Sequence, residues 1–171
     1  MTNYFNKEYF LQAQSQRKKV LIGFYCILAF YVLVSAGLFY WYTTLPYQAQ
    51  EITTVKIIHH SFTVVAIVFG AIYLGIVYKR INKYYKLTAK MNVGIKETYT
   101  GRFIRYDETI CQKDGVDVKS LIFVEWNKYK NDFFERKVYV FNEFPFPEIE
   151  VDKNVTYVTQ GNVLISYEIL S

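Results

Sequence analysis

Histidine and cysteine are nearly missing, with two of each in 171 residues. The histidines, His59 and His60, are adjacent inside an apolar run, so the stretch from 92 onward has none to act as general base or metal ligand. On a helix, neighbouring residues diverge by about 100°, so the pair cannot grip one ion from a single face. Wetted interfacial histidines are the plainer reading, against haem, metal or proton sensing. Cys26 lies in another apolar run and Cys111 has no partner nearby, which excludes a structural disulfide. Metal-ligand spacings, glycine-rich phosphate loops and nucleophile triads are missing too. No catalytic residue, metal ligand or cofactor is assigned from the sequence.

Acidic residues are scarce in one half only: Glu8 and Glu51 are the only two before residue 91. Residues 1–90 carry a net +8 and residues 91–171 a net −3, giving the chain's +5. A nucleic-acid partner is thereby excluded, because the positive field is not on the polar part of the chain.

What the first half does have is two long hydrophobic runs. Val20 to Tyr42 is 23 residues without a charge, about 34 Å as a helix. Ile57 to Tyr78 is 22 residues whose only readily ionisable groups are the histidines. Each is long enough to cross a bilayer, and a pair of buried helices in a soluble bundle is the competing reading. A cleaved signal peptide competes for the first run, since "RKK" precedes it and the small "VSA" stands at Val34 to Ala36; the run nevertheless continues past that site.

Lysine and arginine set the expected orientation. Lys7, Arg17, Lys18 and Lys19 precede the first run, Lys79, Arg80, Lys83, Lys86 and Lys90 follow the second, and only Lys56 lies between. The sequence thus predicts a multi-pass protein of the cell membrane with cytoplasmic N- and C-termini. Residues 1–19 form a cytoplasmic segment, 20–42 the first transmembrane helix, 43–56 an external loop and 57–78 the second transmembrane helix. The rings of Phe39 to Tyr42 suit an interfacial belt. The small residues Ala66, Gly70, Ala71 and Gly75 are candidate helix-packing positions, with Gly23, Cys26 and Ala29 as a facing strip; the same residues would serve a homo-oligomer seam.

Residues 79–91, "KRINKYYKLTAKM", read as a basic amphipathic juxtamembrane helix. Lys79, Lys83, Lys86 and Lys90 fall in one stripe, with Tyr84, Tyr85, Thr88 and Met91 opposite. Lys79, Lys83, Lys86, Lys90, Tyr84 and Tyr85 are candidate contacts to membrane lipids, the alternative being a solvated face that only determines topology. The N-terminal "MTNYFNKEYFL" reads as an interfacial helix or as a disordered end.

From residue 92 the period changes to two. Strands are expected at 97–111, 118–126, 133–141, 155–160 and 163–170, separated by "KDG", "NKYKND" and "QGN" turns. Pro145 and Pro147 exclude a regular helix across 142–154. The expected fold is α+β: a two-helix transmembrane hairpin followed by a small all-β cytoplasmic domain, 92–171, an SH3-like or OB-like barrel. Gly101 lets a long first strand bend to serve two edges. In layout this resembles the NfeD-like membrane proteins; no motif of that family is found here and no function follows from it.

The carboxylates Asp107, Glu108, Glu148, Glu150 and Asp152 fall at turn and surface positions, so they read as a solvated face. The expected role is a non-enzymatic binding or regulatory module for a protein partner or the inner membrane surface. Candidate partner-binding residues are Trp126, Tyr129, Phe144 and Phe146. The alternative is a ligand-sensing membrane effector or transport accessory subunit that oligomerises through its helices.

Overall fold

A computed structural model of the chain describes residues 1–127 and 131–170. Its elements are β1 (Thr2–Asn3), α1 (Lys7–Thr44), α2 (Glu51–Ile72), a π-helical segment (Tyr73–Tyr78), α3 (Lys79–Val93), β2 (Glu97–Lys113), β3 (Val116–Asn127), β4 (Asp132–Phe141), β5 (Asn154–Gln160) and β6 (Val163–Ile169). The chain forms two compact units, Ser15–Ile81 and Met1–Gln14 with Asn82–Ser171.

The first unit is a helical hairpin. Lys7–Thr44 and the continuous helical run Glu51–Val93 are each long and apolar enough to cross a membrane, and their most apolar stretches are not buried. Both helices overrun the apolar runs, so the connection is 45–50 rather than 43–56. Aromatic and hydroxyl groups make the contacts between them. Tyr31 stacks on Phe62 with ring centroids 5.4 Å apart, and its hydroxyl lies 3.1 Å from Thr63 Oγ1. Tyr73 stacks on Phe24 and donates to the Val20 carbonyl at 3.0 Å. Gly23 makes room for it, since a Cβ there would come within 3.1 Å of the Tyr73 hydroxyl.

The second unit is a closed five-stranded barrel of β2 to β6. β2 pairs with β3, β3 with β4, and β5 with both β2 and β6, all antiparallel; a single parallel bridge, Tyr139 to Val163, closes β4 on β6. Closure depends on β2 changing partner. Residues 97 to 102 pair with β5 and residues from 102 onward with β3. At the switch, a Cβ on Gly101 would stand 3.0 Å from both Glu125 Cγ and the Val124 carbonyl, so any larger residue would push the strands or the Glu125 side chain aside there. Two turns have consecutive positive φ: Asp114 and Gly115 at 52° and 76°, and Gly161 and Asn162 at 56° and 65°. These are the two-residue hairpins whose twist matches that of the strands.

Phe103, Leu121, Phe123, Val138, Val140, Val155, Tyr157 and Leu164 fill the barrel. A second cluster joins Leu87 and Met91 of α3 to Phe141, Val163 and Ile165, so α3 covers one side of the barrel. The N-terminal segment is helical only from Lys7, and the residues before it join the sheet. Thr2 and Asn3 pair with Tyr167 and Ser166 of β6, the Tyr4 amide donates to the Ile165 carbonyl at 2.8 Å, and Phe5 is buried in the second cluster. A two-residue strand has no period to detect, and its partners, Tyr167 and Ser166, stand at the far end of the sequence.

The 142–153 connection is held by Tyr106. Its hydroxyl accepts from the Ile149 amide at 2.9 Å and lies 2.8 and 2.9 Å from the carbonyls of Ile149 and Pro147. Replacing Tyr106 by Phe is expected to cost about 1–2 kcal/mol and to speed hydrogen exchange at the Ile149 amide. Unchanged exchange there would refute this role.

Candidate functional site

The β3–β4 hairpin outruns the rest of the barrel. β2 leaves β3 after Arg102 faces Val124, whereas β3 and β4 stay paired as far as Asn127 and Asp132. The hairpin therefore ends in an arm, and the arm is aromatic. Trp126 and Phe133 pair across the strands with centroids 4.8 Å apart, edge to face. Both remain open to solvent, Trp126 at 49% and Phe133 at 65%, and Phe134 is 37% exposed. Large rings held in the open on paired strands form an apolar surface of the kind that anchors a partner.

A buried ionic cluster sits where the arm leaves the barrel. Glu125, whose side chain is 8% exposed, accepts from Arg136 Nε at 3.0 Å and from the Tyr157 hydroxyl. The Arg136 guanidinium lies 3.8 Å from the Tyr99 ring centroid and 5.6 Å from that of Phe134, and its Nη1 reaches Asn162 Oδ1 at 3.4 Å. Tyr99 in turn donates to Glu97 at 2.6 Å. Burial and the Glu125 carboxylate hold the Tyr157 phenol well above its ordinary value of 10.0. Burial pulls the Arg136 guanidinium down, and the Glu125 charge with the Tyr99 contact more than reverses this. Sequence reasoning missed the cluster. Glu125 stands between Val124 and Trp126 in "FVEW", Arg136 between Glu135 and Lys137 in "FFERK", and only the strand register brings them together.

The sequence-predicted residues scatter. Trp126 is on the arm, and Tyr129 lies outside the described residues. Phe144 is half-buried between Tyr4, Tyr9 and Phe141, and Phe146 packs on Tyr106 beneath Lys119. The basic stripe is divided. Lys90 bonds Asp114 at 2.8 Å, holding that carboxyl below its ordinary range, and the Lys83 side chain fills the space beside Gly115. Lys79 and Lys86 are exposed. Tyr84 packs on Phe141, and burial with the nearby Glu143 pushes its phenol up to about 12; Tyr85 stacks on Phe10.

Of the small residues, Ala66 and Gly70 are half-buried in the helical hairpin, whereas Ala71 and Gly75 are exposed. Neither Gly70 nor Gly75 has an atom within 4 Å of where a Cβ would stand. Cys26 and Ala29 are also exposed. Among the described residues no three His, Cys, Asp or Glu side chains gather into a metal site. An open, shallow hollow is lined by Tyr106, Glu148, Ile149, Glu150, Lys153 and Ile169.

Arg136→Ala is expected to cost the barrel about 3 kcal/mol, because it leaves the Glu125 carboxylate buried without its counter-charge. Denaturant unfolding of the full chain in detergent measures this, and a loss below about 1 kcal/mol would contradict it. The raised Tyr157 phenol gives a second test. Its contribution is complete below the pH where an unfolded phenol ionises, near 10.0, and is lost as pH climbs toward the folded value. Stability should therefore fall above about pH 10, and Tyr157→Phe should flatten that fall while lowering stability at pH 7. An unchanged alkaline slope in the variant would contradict it.

No family model, no curated protein and no solved structure matches the chain, so its geometry alone supports a functional reading.

Proposed function

We propose that the chain is a two-span protein of the cell membrane, with both ends cytoplasmic, whose barrel is a non-enzymatic binding module. The apolar stretches of both helices lie exposed, and lipid is the solvent that makes such surfaces stable. Of the ten lysines and arginines in residues 1–90, nine flank the spans on one side and only Lys56 lies on the other, which supports a cytoplasmic barrel. The barrel's strand order, with third and fifth strands meeting in parallel, supports the OB-like alternative over the SH3-like one.

The observation that carries the binding reading is the exposed Trp126–Phe133 pair on a two-stranded arm footed by the Glu125–Arg136 cluster. A fixed base spares the arm much of the ordering cost on binding. Exposed Lys79, Arg80 and Lys86 supply the lipid-facing charge, while Lys83 and Lys90 serve the β2–β3 turn. The alternative, a ligand-sensing effector assembled through its spans, draws on the exposed Ala71 and Gly75.

A photo-reactive phenylalanine analogue at position 133 tests the reading in native membranes. Illumination is expected to yield a discrete protein adduct that Trp126→Ala diminishes. No adduct from a correctly inserted chain would overturn it. For orientation, a C-terminal reporter is expected to stay protected from an impermeant reagent in intact cells, and labelling from outside would overturn the cytoplasmic placement.

A further inference from the structure

The regular backbone of the helical hairpin is broken at the end where the basic residues gather. From Tyr73 to Tyr78 the second helix is π-helical, and the amide of Lys79 reaches back five residues to the Leu74 carbonyl. Such a turn is rare and is found mostly at functional sites. Its effect here falls on two phenols. On an α-helix, at about 100° per residue, Tyr73 and Tyr78 would stand about 140° apart. The wider turn brings both to the side of α1: Tyr73 donates to the Val20 carbonyl at 3.0 Å, and Tyr78 accepts from Arg17 Nη2 at 3.4 Å.

Arg17 and Tyr78 are both half-buried, and they mark the same level of the hairpin. Arg17 stands three residues before the first apolar run and Tyr78 ends the second, so on the two-span reading the pair lies among the headgroups of the inner leaflet. Lys18, Lys19, Lys79 and Arg80 adjoin it, all exposed and without an ion pair among the described residues. Between Glu8 and Glu97 the only acidic residue is Glu51, at the opposite end of the hairpin. The Tyr78 hydroxyl accepts from Arg17 and keeps its own proton, for which no acceptor stands among the described residues. A guanidinium fork and a phenol beside uncompensated cations are the donors a phosphate takes.

We propose that Arg17 and Tyr78 form a binding site for the phosphate of an anionic phospholipid of the inner leaflet, with Lys18, Lys79 and Arg80 selecting against lipids that carry their own cation. Basic pockets between transmembrane helices on the cytoplasmic side take such headgroups. The site rests on the two-span reading above and names the lipid that its basic residues hold.

Retention of phosphatidylglycerol against phosphatidylcholine by the full chain in detergent, read by native mass spectrometry, tests it. The parent is expected to hold phosphatidylglycerol about tenfold more tightly. Tyr78→Phe changes no charge and should weaken that retention about fivefold, and Arg17→Gln about tenfold. Lys90→Gln removes one charge at the Asp114 contact, away from the pair, and should leave it unchanged. A lipid drawn only by total charge would be weakened equally by Arg17→Gln and Lys90→Gln and not at all by Tyr78→Phe; that result overturns the proposal, as does equal retention of the two lipids. Millimolar glycerol phosphate should fail to displace the lipid, and full displacement would assign the pair to a soluble phosphate and overturn the lipid site. Each of these failures leaves the two-span reading standing, whereas a chain that stays in solution without detergent overturns both.

Discussion

The change of partner along β2 is the constraint on which the rest of the barrel depends. One strand must bond β5 before Arg102 and β3 after it, and the strands come so close at Gly101 that a Cβ would meet Glu125 and Val124. The bend closes the barrel, and it also strips β3 of its second neighbour beyond Val124. The projecting hairpin arm and the buried Glu125 beside the switch follow from that geometry, and the short β6 pairing, confined to Tyr139, leaves the other edge of β4 open beside them.

The buried ion pair is best understood as a consequence of that geometry. An isolated carboxylate at the barrel rim would be costly, and Arg136 and Tyr157 together satisfy both of its oxygens. The guanidinium is satisfied on its flanks by the Tyr99 and Phe134 rings and by Asn162. Four strands and the β5–β6 turn thus meet at one charge, at the point where the arm leaves the barrel.

Much of this architecture could be read from the residues. The period-two stretches became strands within a few positions, "KDG" and "QGN" became turns with positive φ at Gly115 and Asn162, and Gly101 marked the bend. The two apolar runs became long helices. What could not be read was long-range and aperiodic. Two residues of β1 complete a sheet whose other strand ends the domain. The helical wheel of 79–90 placed four lysines on one stripe, but it could not show that Lys83 and Lys90 would meet the β2–β3 turn. Phe144 and Phe146, conspicuous beside prolines, became packing for Tyr9 and Tyr106. Composition marks rings as abundant; only topology decides which stay outside.

Amide hydrogen exchange along β4 reads the exposed arm most directly. In dilute detergent, Phe134, Arg136 and Val138, whose amides face β3, should exchange slowly, while Glu135 and Lys137 should exchange fast. Equal protection of all five would contradict this, because it would mean that the chain already covers this edge.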